Sequence, residues 1–425
     1  MWWLVPCILV TAGCRPRPLQ PTLTLVGLGP EAGLQLKRDA LDDFTRTTAI
    51  RVDLVPAWGS SAEQLAETTK LLRLPSNPPD IFLIDVVWPG TLGSDLLDLA
   101  PYANGDGDAR AHLPALLQND TVAGRLVSLP FYVNVGMLYY RTDLLKKYGY
   151  RKPPDSWDEL ESMSARIQQG ERAAGNRNFW GYVWQGAAYE GLTCDALEWQ
   201  ESFGGGRIIE MDGVIGVNNP AAARALAKAQ GWVGTISPKS VLSYTESDSM
   251  AVFRAGNAAF LRHWSGALSA SRSAGTAISG RFGVALLPAG PHGRAQAMGG
   301  FHLGVSRHSR HPRESAQLVL SLTSRQVQLR RAISSGYLPT IPTLYHNAEL
   351  LQVLPSAAEL RNAGESPWVV RPSTVAGSRY SAVSKSYYEA VHDILSSRAD
   401  PAERLAHLER TLVGLTGFRT GPPAN

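Results

Sequence analysis

The sequence predicts an α/β protein divided into two lobes, on three observations. From residue 22 to residue 84 it reads strand, helix, strand, helix, strand, which implies a mostly parallel sheet covered on both faces. The chain has 425 residues, whereas a single hydrophobic core seldom grows past about 250–300 residues. With 44% apolar and 18% charged side chains it can bury a substantial core, which excludes a chain that stays unfolded.

The elements follow from local pattern. Thr22 to Val26 alternates as a half-buried strand, and Leu34, Leu41 and Phe44 then recur at helical spacing. Ile50 to Val55 alternates again, and Ser60-Ser61-Ala62-Glu63 matches a capping box that opens a helix. Asp80-Ile-Phe-Leu-Ile84 is a short apolar strand ended by Asp85. Leu126 to Tyr140 is extended, with Pro130 interrupting it, and Ser156-Trp-Asp-Glu159 is a second capping box for a helix to about Gln169. Phe179 to Trp184 is strand-like. Residues 190–203 form a helix stopped by Gly204-Gly205-Gly206. Asn219-Pro220 caps a helix that ends near Trp232. Strands follow at Ala258 to Leu261, Phe282 to Leu287 and Phe301 to Val305. Residues 313–333 read as a long helix or helix pair, and amphipathic stretches at 380–396 and 401–415 close the chain.

The amino terminus reads differently. Residues 2–13 are uncharged and largely apolar, too short to span a bilayer as a helix but suited to an export signal peptide, residues 1–13, ending in small residues. Thr11-Ala12-Gly13-Cys14 resembles a bacterial lipobox, which implies lipidation of Cys14 and a Pro-rich tether over 14–21. Of the three cysteines, Cys7 would leave with the signal and Cys14 would carry lipid. Cys194 remains, in a helical segment, as a buried inert thiol with no partner for a disulfide.

Several function classes lack support. Lys and Arg number 41 against 37 acidic residues, and no segment concentrates basic and aromatic residues as a nucleic-acid face does. Gly27-Leu28-Gly29-Pro30-Glu31-Ala32-Gly33 sits between a strand and a helix like a dinucleotide loop, with Asp53 at the end of the next strand. Its third glycine falls one place late, however, and Pro30 removes a backbone donor. It is read instead as a turn at the mouth of a cleft, with Glu31 at a helix start. His308 and His311 sit among three arginines without an acidic or thiol ligand, as in a solvated loop. No nucleophile elbow, zinc helix or phosphate loop occurs, so no catalytic residue, metal or cofactor is expected.

What remains is a set of polar and aromatic residues at predicted strand ends and helix starts: Glu31, Asp85 with Trp88, Tyr132 with Asn134, Tyr189 with Glu190, Glu246, and Trp264. In open α/β sheets such positions converge on the ligand crevice. Carboxylates accept from vicinal hydroxyls, Asn both donates and accepts, and an aromatic ring covers the C–H face of a pyranose. The 11 Trp, 14 Tyr and 10 Phe point the same way.

Six segments carry a resemblance to the extracellular solute-binding proteins (family 1) of carbohydrate ABC importers, closest to the trehalose/maltose-binding lipoproteins. They are Asp80–Gly90, Leu129–Arg141, Pro154–Leu160, Val183–Cys194, Phe253–Trp264 and Met298–Ser306, in family order over nearly the whole mature chain. The resemblance implies a type II-like periplasmic-binding-protein fold. Lobe I would comprise 22–129 and 285–332, lobe II 130–284 and 333–425, and the chain would cross near 128–132, 284–288 and 330–335. It places Glu31, Asp85, Tyr132, Asn134, Glu246, Trp264, Gly300, Phe301 and Arg371 at or near sugar contacts; Glu190 joins them from the pattern above. Glu31 and Asp85 would act from lobe I, and Asn134, Glu246, Trp264 and Arg371 from lobe II.

Asn134 stands where Asp is common, Phe301 where Trp is frequent, and His263-Trp264-Ser265 where Asn-Trp-Pro is usual. The implied protein is a lipid-anchored, exported monomer in the periplasm or at the outer face of the cytoplasmic membrane. It would close on a di- or oligosaccharide, trehalose first, then maltose or another α-glucoside, and deliver it to an ABC permease. The rivals are a glycoside hydrolase using Asp85 and Glu246, and a scaffold or sensing lipoprotein without transport.

Overall fold

The computed structural model describes residues 21–29, 35–56, 61–103, 109–267, 275–354, 357–358 and 368–423. The expected signal peptide, Cys14, the expected tether up to residue 20, Glu31 and the expected Ser60 cap lie outside them. The first three strands, β1 (Thr22–Val26), β2 (Arg51–Val55) and β3 (Ile81–Asp85), are parallel, with β1 in the middle. The short hairpin β4–β5 (Thr121–Val122, Arg125–Leu126) leads into β6 (Leu129–Arg141). Next come β7 (Trp180–Val183), β8 (Ala258–Trp264), β9 (Phe282–Leu286), β10 (Gln296–Val305) and β11 (Trp368–Val369). The sheet runs β2-β1-β3-β10-β6-β8-β7, with β9 and β11 off the path.

The expected mostly parallel sheet needs correction. β10 is antiparallel to both β3 and β6, and β6 is antiparallel to β8 and β9. Periodicity along the chain cannot register strand direction when the strands that pair are separated by more than a hundred residues.

The 13-residue strand β6 joins the two halves of the sheet. Residues 129–135 pair with β10, and residues 136–141 pair with β8 and β9. Pro130 is tolerated because the register slips beside it. Tyr132 pairs with Phe301 but Pro130 pairs with His302, leaving Phe131 as the extra residue of a bulge. On β3, Ile81 and Leu83 face one core with Leu23, Leu25, Phe131 and Leu318. Phe82 and Ile84 face the other. That two-sided burial explains the unbroken apolar run.

Local signals hold where they describe caps. Ser156 accepts from the Glu159 amide at 3.2 Å, while the Glu159 carboxylate reaches past the cap to the Asp155 amide at 2.7 Å. Asn219 accepts from both Ala221 and Ala222 at 3.0 Å. The run 313–333 is a pair of helices, Pro312–Leu322 and Arg325–Ser335. Trp157, Trp184, Trp199 and Trp232 pack ring to ring in the core of the second half, so they contribute stability and not a ligand surface. Cys194 is buried, and burial pushes its thiol pKa up.

One buried carboxyl ties stability to pH. Glu201, whose Oε1 accepts no hydrogen bond, titrates at about 7 instead of 4.5, chiefly because burial disfavours its charge and less because Glu210 is near; Arg207 opposes both. Above pH 4.5 the unfolded chain releases this proton and the folded protein retains it. Folding should therefore lose about 1.4 kcal/mol per pH unit from this group until the folded carboxyl ionises. Glu201→Gln is expected to raise the melting temperature at pH 8 and leave it unchanged at pH 4. Equal effects at both pH values would refute this assignment.

Candidate functional site

The lateral pairing of three strands builds one wall of the site. Asp85 at the end of β3 pairs with Phe301 of β10, which pairs with Tyr132 of β6, so residues far apart in sequence stand side by side. Asp85 Oδ1 accepts from the Val87 amide at 3.1 Å, which fixes the carboxylate as the chain leaves the strand. The Val86 amide donates to the Gly300 carbonyl at 3.1 Å. Gly300 has φ +134°, and a Cβ there would collide with the Tyr132 carbonyl, so only glycine lets β10 pass so close to β6. The Tyr132 ring packs on Phe301 with centroids 5.6 Å apart and on Tyr337 at 4.3 Å. Tyr337 was not foreseen; it lies in a loop after a helix, and only the bridge between Val133 and Leu338 brings it in.

The site continues along β6 through Asn134 to the neighbouring strand β8. Asn134 Oδ1 accepts from the Gly266 amide at 3.1 Å and the Ser265 hydroxyl at 3.4 Å, so its amide NH2 is left to donate outward. Trp264 sits opposite Gly136 at the end of β8. Its indole Nε1–H donates to Glu246 Oε1 at 3.1 Å, and Tyr189 donates to Glu246 Oε2 at 2.6 Å. Glu246 opens the Glu246–Arg254 helix, capped by Thr245, where backbone amides favour an anion. Beside it His263 titrates at about 4, mainly because burial disfavours the imidazolium, and it is therefore neutral at pH 7.

Beneath Trp264 lies an ion cluster that sequence reading missed. The Arg262 guanidinium stacks on the indole at 4.2 Å. It is wholly buried, with Nε 2.9 Å from Asp195 Oδ1, Nη2 2.5 Å from Glu198 Oε1, and Nη1 donating to Gln185 Oε1 at 3.0 Å. Glu198 also accepts from the Ala297 amide of β10 at 3.0 Å. Gly136 is required because a Cβ there would strike the Glu198 carboxylate. The available signal was three charged residues inside otherwise apolar stretches of a helix and a strand.

Of the expected site residues, Asp85, Tyr132, Asn134, Gly300 and Phe301 share the three-strand wall, while Trp264 and Glu246 bond to each other on the adjoining strand and helix. Arg371 lies against Asp85 at 3.7 Å and donates to Glu190 at 2.7 Å. Glu190 is fully engaged, accepting also from Tyr380 and from Ser384. Among the described residues no group of three or more His, Cys, Asp or Glu could hold a metal ion.

Two strand systems sharing a long crossing strand, with half-buried rings and carboxylates gathered at their junction, define a two-lobed, cleft-type ligand-binding protein. The chain belongs to the bacterial extracellular solute-binding protein family, whose pattern it matches over residues 28–329. A probable ABC transporter-binding protein of Deinococcus radiodurans is 43% identical over 397 residues, 93% of this chain and 94% of that one. The maltose-bound structure of T. maritima MalE3 is 33% identical with a TM-score of 0.83, covering 93% of this chain and all of its own. A Thermotoga lettingae solute-binding protein with bound alpha-D-tagatose shares the fold, at 20% identity and a TM-score of 0.81 over 94% of this chain and all of its own. The protein is thus a solute-binding protein of that family.

Proposed function

We propose that this protein captures a disaccharide or short oligosaccharide, trehalose first and then maltose or another α-glucoside, and hands it to the permease of an ABC importer without altering its bonds. The observation that supports this is the joint placement of Trp264, Tyr132 and Phe301 with the carboxylates of Asp85 and Glu246 and the free amide of Asn134 at the β6 junction. Rings cover the apolar faces of pyranose units, and the acceptors bind paired hydroxyls. Arg371 is already engaged by two carboxylates, which favours a neutral guest over a phosphorylated one.

On this reading the lobes comprise 22–129 with 285–332, and 130–284 with 333–425. Asp85 approaches the sugar from one lobe and Glu246 and Trp264 from the other, with Asn134 on the strand that crosses between them. Contacts from both lobes exist together only in the closed form, so sugar shifts the population toward closure. The exported protein would be a monomer held at the outer face of the membrane by lipid on Cys14.

The test is a panel of trehalose, maltose, sucrose and glycerol 3-phosphate, read by tryptophan fluorescence and melting temperature, with glucose release assayed in parallel. A ligand that binds only the folded form raises its stability by RT ln(1 + [L]/Kd). Trehalose or maltose is expected to raise the melting temperature while no glucose appears. Released glucose would assign Asp85 and Glu246 to hydrolysis instead. A response to glycerol 3-phosphate alone would reject a neutral-sugar site.

A further inference from the structure

Arg371 stands between two carboxylates from distant parts of the chain. Its Nη1 donates to Glu190 Oε1 at 2.7 Å, while Nη2 lies 3.7 Å from Asp85 Oδ1 and 3.4 Å from the Met298 carbonyl of β10. Only 5% of Arg371 is exposed. Glu190 has both oxygens engaged. Tyr380 adds a second hydrogen bond to Oε1, and Ser384 donates to Oε2 at 2.6 Å. The segment that carries Arg371 bridges separate elements. Its Ser373–Ala376 turn packs on the Pro89–Leu92 helix just beyond Asp85, and Thr374 donates to Asn119 at 2.8 Å. The Tyr380–Ser397 helix that follows packs on the Glu190–Ser202 helix.

We propose that Glu190 is a positioning residue and not a sugar contact: it fixes Arg371, which in turn holds a guanidinium beside Asp85 and keeps that carboxylate charged and aimed at the ligand. The inference rests on the sugar-binding reading for the identity of that ligand. A buried carboxylate facing sugar hydroxyls must stay ionised to accept two hydrogen bonds. Burial disfavours the charge of Asp85, Arg371 opposes burial, and the other charged or titratable groups facing Asp85 are Glu190, His302 and Tyr132.

The geometry makes the role of Glu190 separable by sign. If Glu190 acted on Asp85 only through its own negative charge, removing it would make Asp85 more acidic. If it acts by placing Arg371, removing it lets the guanidinium drift, and Asp85 becomes less acidic. The experiment follows the Asp85 carboxyl by 13C NMR in the ligand-free, full chain, assigned with Asp85→Asn, in the wild type and in Glu190→Ala, Glu190→Asp and Arg371→Met. The expected result is an upward shift of about one unit in Glu190→Ala and at least as much in Arg371→Met, with Glu190→Asp close to wild type; one unit corresponds to a tenfold change in proton affinity. The acid limb of trehalose or maltose binding should move up by the same amount. An unchanged or lowered Asp85 pKa in Glu190→Ala overturns the proposal. Should that variant fail to fold, an unshifted Asp85 in Arg371→Met does so. If the wild type binds no sugar on the panel, the functional reading falls, and the ligand-free titration still decides the role of Glu190.

Discussion

Arg262→Leu is expected to destabilise the protein by about 3–5 kcal/mol at pH 7.5, the size seen when one partner of a buried ion cluster is removed. Arg262, Asp195 and Glu198 are fully buried, and desolvation already raises the pKa of both carboxyls, with Arg262 opposing the shift. Without the guanidinium the two carboxylates lose their counter-charge and must take up protons to remain in the core. A carboxyl whose folded pKa is raised costs nothing at pH values below its unfolded pKa, and its cost grows as pH rises toward the folded pKa. The variant should therefore lie closer to wild type at pH 4.5 than at pH 7.5, as read by urea denaturation. A loss below about 1 kcal/mol at pH 7.5, or a larger loss at the acid pH, would show that the cluster is not held together by the guanidinium. The change should also weaken sugar binding, since the guanidinium supports the inner face of Trp264 and Glu198 ties β10 to the same cluster.

Trp264→Ala is expected to weaken trehalose or maltose binding by about 2–3 kcal/mol, roughly 30- to 150-fold in Kd, through loss of a large buried apolar face. Trp264→Phe should recover much of this. Glu246→Gln should cost less, because its amide oxygen can still accept from Trp264 or Tyr189 while the charge-assisted bond to the sugar is lost. Calorimetry of the three variants separates these contributions. Affinity unchanged in Trp264→Ala would remove that ring from the site.

Much of the local structure was legible because it is decided within a few residues. Ser156 and Asn219 cap helices at their expected places, and Gly204 ends the Glu190–Ser202 helix. The site was legible only in part. Asp85, Tyr132 and Phe301 could be named as strand residues, yet their adjacency depends on β10 inserting antiparallel between β3 and β6. Abundant tryptophan suggested a ligand surface, whereas four of these rings fill the core of the second half. Glu190 and Glu246 are both acids opening helices, and nothing in their own surroundings in the sequence distinguishes them. Glu190 is engaged by Tyr380, Ser384 and Arg371, all nearly two hundred residues away, while Glu246 meets Tyr189 and Trp264.

The sequence by itself determined the succession of strands and helices, their caps, the apolar faces and the family. These follow from backbone propensity and from periodic burial, which act over one or two turns of chain. The tertiary structure decided strand direction, the sharing of β6 between two sheet systems, and which acids are bound by a buried arginine. Those depend on which distant donors fold against each carboxylate, and a hydrogen bond or ion pair is fixed by distance in space, whatever the separation along the chain.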